Sequence, residues 1–157
     1  MSDSLQTHIP SINKNKTPPA ALWLGYAGLL PFFAGAVLSL PIAAGFRAWG
    51  TLLLIGYGAI ILSFMGGIHW GAAMTRDDAT QASLGKSVMP SLVALLAFIV
   101  GGPFGLVILS LGFAGQLAWD ESETKIGHVP GWYPSLRRPL TALVAVSLIT
   151  GAIASLL

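Results

Sequence analysis

Four long stretches without a charged side chain constrain this chain more than any other feature. Residues 20–40, 51–74, 87–119 and 139–157 contain 21, 24, 33 and 19 consecutive residues without Asp, Glu, Lys or Arg. A helix needs about 20 mainly apolar residues to cross a hydrocarbon core of roughly 30 Å. The sequence therefore predicts an all-α fold, a polytopic membrane helical bundle.

The composition excludes several other classes of protein. Apolar residues make up 54% of the 157 residues and charged residues 9%, against about 45–50% and 25% in soluble domains. The net charge of +2 is too small for a surface that binds nucleic-acid phosphates. Because the chain has no cysteine, disulfides, thiolate nucleophiles and cysteine metal sites are also excluded.

The third charge-free stretch is too long for one ordinary span. Gly101-Gly102-Pro103 lies in its middle, and Gly allows turn dihedrals while Pro fits the first turn of a new helix. Because the first half is then short, the two halves either both cross the membrane or form a re-entrant hairpin. The predicted organisation is a disordered cytoplasmic tail, residues 1–19, and one domain, residues 20–157, with five transmembrane helices at about 20–40, 51–74, 87–100, 103–119 and 139–157.

The positions of Lys and Arg predict the orientation. With five spans, seven of the eight basic residues fall on one side of the membrane, and only Arg47 falls on the other. Because loops rich in Lys and Arg stay in the cytoplasm, the N-terminus is predicted to be cytoplasmic and the C-terminus outside. Residues 20–40 are interpreted as a span rather than a cleaved signal peptide, since a long polar segment precedes them.

The second and fourth spans carry small residues on one face. At 100° per residue, small side chains of the second span share one side, and His69 points to the opposite side. Such faces allow helices to approach closely in lipid, so the second span is expected at the centre of the bundle. The predicted packing positions are Gly56, Ser63, Gly67 and Gly71 in the second span, and Gly105 and Gly112 in the fourth.

Polar residues of these spans gather near the inner boundary. His69 lies seven residues before Arg76, and Gln116 lies four residues before Asp120. At 1.5 Å per residue, these separations place them about 10 Å and 6 Å from that boundary. An amide in hydrocarbon is costly without a partner, so Gln116 is expected to find one inside the bundle. A pocket or docking surface facing the inner leaflet is therefore predicted.

The chemistry of the polar residues stays open. His69 is interpreted as making an interhelical hydrogen bond, contacting a ligand, or carrying protons or a metal. The first interpretation is favoured because the chain has only three histidines, and a metal site usually needs three or four ligands. The acidic residues Asp120, Glu121 and Glu123 are interpreted as part of a solvated loop. No catalytic set or metal site is predicted, and the sequence does not identify a cofactor.

Several segments together resemble a known family. They are LGYAGLLPF (residues 24–32), YGAIILSFMGGIHWG (57–71), MPSL (89–92), LGFAGQLAWD (111–120) and WYPSLRRPLTA (132–142). In these segments the chain resembles the transmembrane-protein-69-like family, a domain of unknown function (number 3429) found in bacteria and mitochondria. The resemblance implies a small multi-pass protein of a bacterial inner (plasma) membrane and supplies no activity.

On this resemblance, seven positions are marked for binding a ligand or partner: His69, Trp70, Gln116, Asp120, Trp132, Tyr133 and Arg137. The leading hypothesis is a non-enzymatic membrane protein that binds a partner protein or a small hydrophobic molecule. In that hypothesis His69 and Gln116 supply hydrogen bonds, Trp70 and Tyr133 an apolar wall, and Arg137 an anionic contact.

Two alternatives remain beside this hypothesis. One is a small transporter or a tetrapyrrole- or lipid-binding protein, by analogy in size and architecture with the translocator-protein family. The other is a membrane enzyme that uses His69 or Asp120 as a base.

Overall fold

The computed structural model describes residues 16–75 and 80–157, and every regular element in these residues is helical. In chain order the elements are α1 (Pro19–Ala27), α2 (Leu30–Ser39), a 3-10 segment (Pro41–Phe46), α3 (Arg47–Met74), α4 (Gln81–Val100), α5 (Gly102–Lys125) and α6 (Tyr133–Ala154). Counting α1 and α2 as one span, the described residues form five helical spans that are long and apolar enough to cross a membrane. The chain is a multi-pass, all-α membrane protein with five spans, as predicted.

The first span is broken instead of forming one continuous helix. Pro31 has no N–H to donate to the carbonyl of Ala27, which would be its partner in a regular helix. The amide of Gly28 still donates to the carbonyl of Leu24 at 3.0 Å and closes α1. The Tyr57 hydroxyl of α3 donates to the Gly28 carbonyl at 3.1 Å, so α3 supplies a partner at the break.

The third span begins before its charge-free stretch. Thr80 caps α4 reciprocally: the Ser83 amide donates to Thr80 Oγ1 at 3.1 Å, and the Thr80 amide donates to Ser83 Oγ at 3.0 Å. With 20 residues, α4 is about 30 Å long, enough for a full crossing. The structure differs from the predicted start at residue 87 because Lys86, which bounded the charge-free stretch, lies inside the helix.

The last helix also begins before its charge-free stretch. It starts at Tyr133, and Pro139 lies inside it. Pro134 occupies the first turn, where its missing N–H removes no helical hydrogen bond. Arg137 and Arg138, which were expected in a loop, therefore lie in the first two turns of α6.

The helices run alternately between two ends of the bundle. At one end, the Arg47 guanidinium at the start of α3 donates to the carbonyl of Ala154 at the end of α6. At the other end, the C-terminal parts of α3 and α5 meet the start of α6 around Asp120. We call this second end the Asp120 end. Most of the predicted N-terminal tail, residues 1–15, lies outside the described residues, and so does Arg76.

The core is formed by large side chains from all parts of the bundle. Those exposed by 1% or less include Phe32, Leu54, Leu62, Leu106, Leu109, Phe113 and Leu148. The predicted packing glycines of the fourth span lie where helices approach closely. A Cβ at Gly105 would lie 2.5 Å from the carbonyl oxygen of Ala97, and one at Gly112 would lie 2.7 Å from Leu62.

Among the described residues, the predicted small-residue face of the second span has open space around it. A Cβ at Gly56, Gly67 or Gly71 would meet no atom of the described residues within 4 Å, and Ser63 is half-buried. The neighbouring helices instead pack on the opposite side of α3, which carries Leu54, Leu62, His69 and the tightly packed Gly50, Gly58 and Gly66. Packing of the small-residue face against a second molecule remains a prediction.

Candidate functional site

The C-terminal part of α5 supplies most of the site. Gln116, Trp119, Asp120 and Glu123 follow one another at spacings of three, one and three residues, which places all four on one side of the helix. Asp120 is fully buried. The interpretation of Asp120 as part of a solvated loop is therefore wrong, because α5 continues to Lys125 and holds this residue against α3 and α6.

The Asp120 carboxylate accepts hydrogen bonds from three side chains. Nε2 of His69 lies 2.7 Å from Oδ1, and Nε2 of Gln116 donates to the same oxygen at 3.0 Å. Nε of Arg137 donates to Oδ2 at 3.0 Å. We call these four residues the Asp120 cluster. It joins α3, α5 and α6, and it gives His69 and Gln116 the interior partners that the sequence analysis expected.

The cluster contains a buried ion pair. The exposed fractions of the Arg137 and Asp120 side chains are 7% and 0%. Charges removed from water are stabilised only when they are paired and hydrogen-bonded. Because arginine stays protonated in proteins, the Asp120 carboxylate is the compensating charge. The ion pair therefore fixes α5 against α6.

Besides its bond to Asp120, His69 lines a small cavity. An ionised carboxylate only accepts hydrogen bonds, so Nε2 carries the proton shared with Asp120. Within residues 16–75 and 80–157, Nδ1 has no hydrogen-bond partner, and His69 lines a cavity of about 210 Å³. Lys86, Glu123 and His128 also line this space, which we call the polar cavity.

An aromatic side chain links His69 to the acidic residue of the polar cavity. The His69 ring stacks on Trp119, with ring centroids 4.0 Å apart and planes 12° apart. The Trp119 indole N–H donates to Glu123 Oε1 at 3.0 Å, and Nδ1 of His128 lies 2.7 Å from Glu123 Oε2. The polar cavity thus has an organised wall that connects the Asp120 cluster with the α5–α6 loop.

On the other side of the cluster, Arg137 lines an apolar groove. Its Nη2 atom is buried and has no hydrogen-bond partner in the described part of the chain. The groove has a volume of about 390 Å³ and lies between α1, α3, α5 and α6. Leu24 and Phe64 at its rim are 74% and 63% exposed. We call it the Arg137 groove. Since its exposed apolar rim belongs to spanning helices, the groove opens toward lipid.

The structure brings together some of the residues marked from the sequence. Tyr133 lies close to the cluster, and its hydroxyl is 3.9 Å from the sulfur of Met65. Trp132 is half-buried and contacts the Tyr133 ring edge-on at 5.9 Å. Trp70 is 42% exposed, because it lies 100° around α3 from His69. Among the described residues no ring contact joins Trp70 to Tyr133, and the apolar wall expected from these two residues stays a prediction.

Three residues that the sequence analysis did not mark also belong to the site. Trp119 is the last residue of the predicted fourth span, Glu123 was interpreted as part of the solvated loop, and His128 falls between the predicted fourth and fifth spans. The spacing of Trp119 and Glu123 behind Gln116 is the signal that places both on the buried side of a longer α5. No such spacing identifies His128, since it follows the end of α5.

Comparisons with known proteins agree with this architecture. The chain is 33% identical over 145 residues to Transmembrane protein 69 of Xenopus tropicalis, covering 88% of this chain and 55% of that protein. It is 26% identical over 136 residues to Transmembrane protein 69 of Mus musculus, covering 85% and 55%. The chain thus spans about half the length of these curated relatives. No solved structure matches it.

A family model covers nearly the whole chain. It is described as "Protein of unknown function (DUF3429)" and matches residues 17–153. This range includes the first four spans, all but the last residue of the fifth, the Asp120 cluster and both of the spaces beside it. The chain belongs to this family, as its resemblance to the transmembrane-protein-69-like proteins predicted.

Proposed function

We propose that this membrane protein binds a small hydrophobic molecule whose head group carries an oxygen that accepts hydrogen bonds. The observation that supports the proposal is the buried and unpartnered Nη2 of Arg137 at the Arg137 groove. A buried donor without a partner costs about 1–3 kcal/mol. A carboxylate or phosphate oxygen of a ligand would remove this cost.

The shape and lining of the groove favour an amphiphile over a water-soluble anion. Phe64, Met65, Phe113 and Leu140 provide apolar walls near the guanidinium. A volume of about 390 Å³ falls in the usual range for small-molecule sites. An apolar tail along these walls with an acidic head at Arg137 satisfies both parts of the groove.

Arg137 supplies the ligand contact in this proposal, and Asp120 holds Arg137 in place. Its Nε is bound to Asp120, so Nη2 keeps a fixed direction. His69 and Gln116 act on the same carboxylate and help to position it.

The remaining hypotheses use the same end of the bundle. Binding a lipid or a tetrapyrrole, or transporting such a molecule, would occupy the Arg137 groove. An enzymatic role would use Nδ1 of His69 in the polar cavity. Asp120 is poorly placed as a base, because it is fully buried and both of its oxygens already accept hydrogen bonds.

We also propose that the Asp120 end faces the cytoplasm and that the protein resides in a bacterial inner membrane. Support comes from the basic residues. Lys86, Lys125, Arg137 and Arg138 lie in the helix ends at or near Asp120, whereas Arg47 lies at the opposite end. Basic residues near span ends favour the cytoplasmic side. The N-terminus would then be cytoplasmic and the C-terminus outside.

The binding proposal is tested by photocrosslinking with a long-chain fatty acid that carries a diazirine near its carboxylate. The purified protein in phospholipid nanodiscs should crosslink at groove residues of α1, α3 and α6. Unlabelled fatty acid should compete, whereas an alkane of equal length should not. The double variant Asp120→Leu with Arg137→Leu removes both charges together and should lose the crosslink.

Arg138→Met is the matched control, because Arg138 neighbours Arg137 in α6 and its side chain is 66% exposed. It should crosslink as the native protein does. Equal labelling of the native protein and the double variant, with both folded, would contradict the proposal.

A further inference from the structure

The side-chain amide of Gln116 has a hydrogen-bond acceptor, Oε1, that does not bind Asp120. Its Nε2 donates to Asp120 Oδ1 at 3.0 Å. This bond fixes the amide orientation, because the reverse orientation would place the carbonyl oxygen against a carboxylate. Oε1 is therefore directed away from Asp120. It is buried and has no hydrogen-bond partner in the part of the chain that the structure describes, and the residue is only 3% exposed.

Gln116 lines a second apolar groove, between α4 and α5. This groove has a volume of about 430 Å³, and we call it the Gln116 groove. Gly115 leaves it open, since a Cβ there would meet no described atom within 4 Å. Met89, Leu96 and Leu111 border the groove and are 54%, 52% and 67% exposed. It therefore opens toward lipid on a different side of the bundle from the Arg137 groove.

The chemistry of this groove is complementary to that of the Arg137 groove. Its unpartnered polar atom is an acceptor, so the ligand must donate a hydrogen bond. The Trp119 indole also lines the groove, but its N–H already donates to Glu123. None of the residues that line the groove is charged, so nothing there compensates a charged ligand.

We propose that the Gln116 groove binds a neutral lipophile with one hydroxyl group, and that this hydroxyl donates to Gln116 Oε1. The apolar body of the ligand lies along Val93, Leu96 and Ile108, over the open backbone at Gly115. Asp120 then positions both recognition atoms of the bundle, the donor of Arg137 and the acceptor of Gln116. This inference concerns a different groove and ligand class from the proposed function.

The test compares a long-chain primary alcohol with its methyl ether in the native protein. Both compete in nanodiscs against a diazirine-labelled alcohol of the same chain length. One hydrogen bond is worth about 1 kcal/mol, so the alcohol should compete roughly five- to tenfold more strongly than the ether. In Gln116→Met, which removes the acceptor at similar volume, this preference should fall to less than about twofold.

A second variant avoids the Asp120 cluster altogether. Gly115→Phe fills the groove without removing the bond between Gln116 and Asp120, and it should abolish labelling by the alcohol. Gly56→Phe is the matched control, since Gly56 also has open space around it but lies on α3. It should label as the native protein does, and neither glycine variant should change fatty-acid labelling at the Arg137 groove.

Two results would overturn the inference. One is equal competition by the alcohol and the ether in the native protein, which is also the result expected if only a water molecule binds Oε1. The other is native-level labelling of Gly115→Phe. If Gln116→Met does not fold, the comparison of Gly115→Phe with Gly56→Phe still decides the question. Loss of fatty-acid binding alone would contradict the proposed function and leave this inference standing.

Discussion

Asp120→Asn should destabilise the bundle by about 3–5 kcal/mol, the usual cost of removing one partner from a buried ion pair. The substitution keeps the shape of the side chain but leaves the Arg137 guanidinium as an uncompensated charge, only 7% exposed. The amide of Asn also cannot accept hydrogen bonds from all three side chains that now donate to Asp120. Its NH₂ group must face either Arg137 or the donors of His69 and Gln116.

A double-mutant cycle separates the ion pair from the rest of this effect. Arg137→Met should also destabilise the bundle, because it leaves the buried Asp120 carboxylate without its positively charged partner. The combined variant Asp120→Asn with Arg137→Met should be more stable than the sum of the single effects by at least about 2 kcal/mol, since neither charge is then left alone. The measurement is reversible unfolding in mixed detergent and SDS micelles, followed by tryptophan fluorescence and circular dichroism.

The chain contains a matched control for this cycle. Glu121 and Arg138 join the same two helices with the same sequence separation of 17 residues. Nε of Arg138 donates to Oε1 of Glu121 at 2.7 Å. The Arg138 side chain is 66% exposed, so the coupling of this pair should be at most about 1 kcal/mol. Similar coupling energies for the two pairs would refute the argument that burial makes the pair with Asp120 a major determinant of stability.

Three further predictions follow from other parts of the structure. Gly66→Ala should destabilise the bundle by about 1–3 kcal/mol, because its Cβ would overlap the backbone of α4. Gly67→Ala should change the stability by no more than about 0.5 kcal/mol, because its Cβ would meet open space. The same SDS titration compares the two variants. His69→Leu should cost about 1–3 kcal/mol through the lost hydrogen bond to the cluster, and unchanged stability would contradict this role. Reporter fusions should find Met1 in the cytoplasm and Leu157 outside, and a common compartment would contradict five crossings.

The sequence predicted the number of spans because hydrocarbon excludes charges over lengths of about 20 residues. It also predicted that His69 and Gln116 would lie at one end of the bundle with interior partners. The helix ends were less accurate. Lys86 and Asp120 were interpreted as boundaries, although both lie inside helices. A charge marks the end of a charge-free stretch, but a helix continues past it when the side chain reaches water or a partner.

Asp120 shows why the site itself was harder to predict. Its burial depends on Arg137, which lies 17 residues later and on the next helix. A charge-free stretch carries no information about which two charges will meet across helices. The small-residue face of α3 was not expected to be open within the bundle, for a related reason. Periodicity placed Gly67 and His69 on opposite faces, and only the positions of the neighbouring helices determine which of the two faces is covered.

The pairing of α5 with α6 has a consequence for how the chain enters the membrane during synthesis. Asp120 leaves the ribosome before Arg137, so α5 would meet lipid with a carboxylate whose cation has not yet been made. An unpaired Asp at the centre of a helix costs roughly 2.5–3.5 kcal/mol during insertion, and less near the interface. Leaving the insertion machinery as a helical hairpin would avoid this cost, so we expect α5 and α6, which the pair joins, to enter the membrane together.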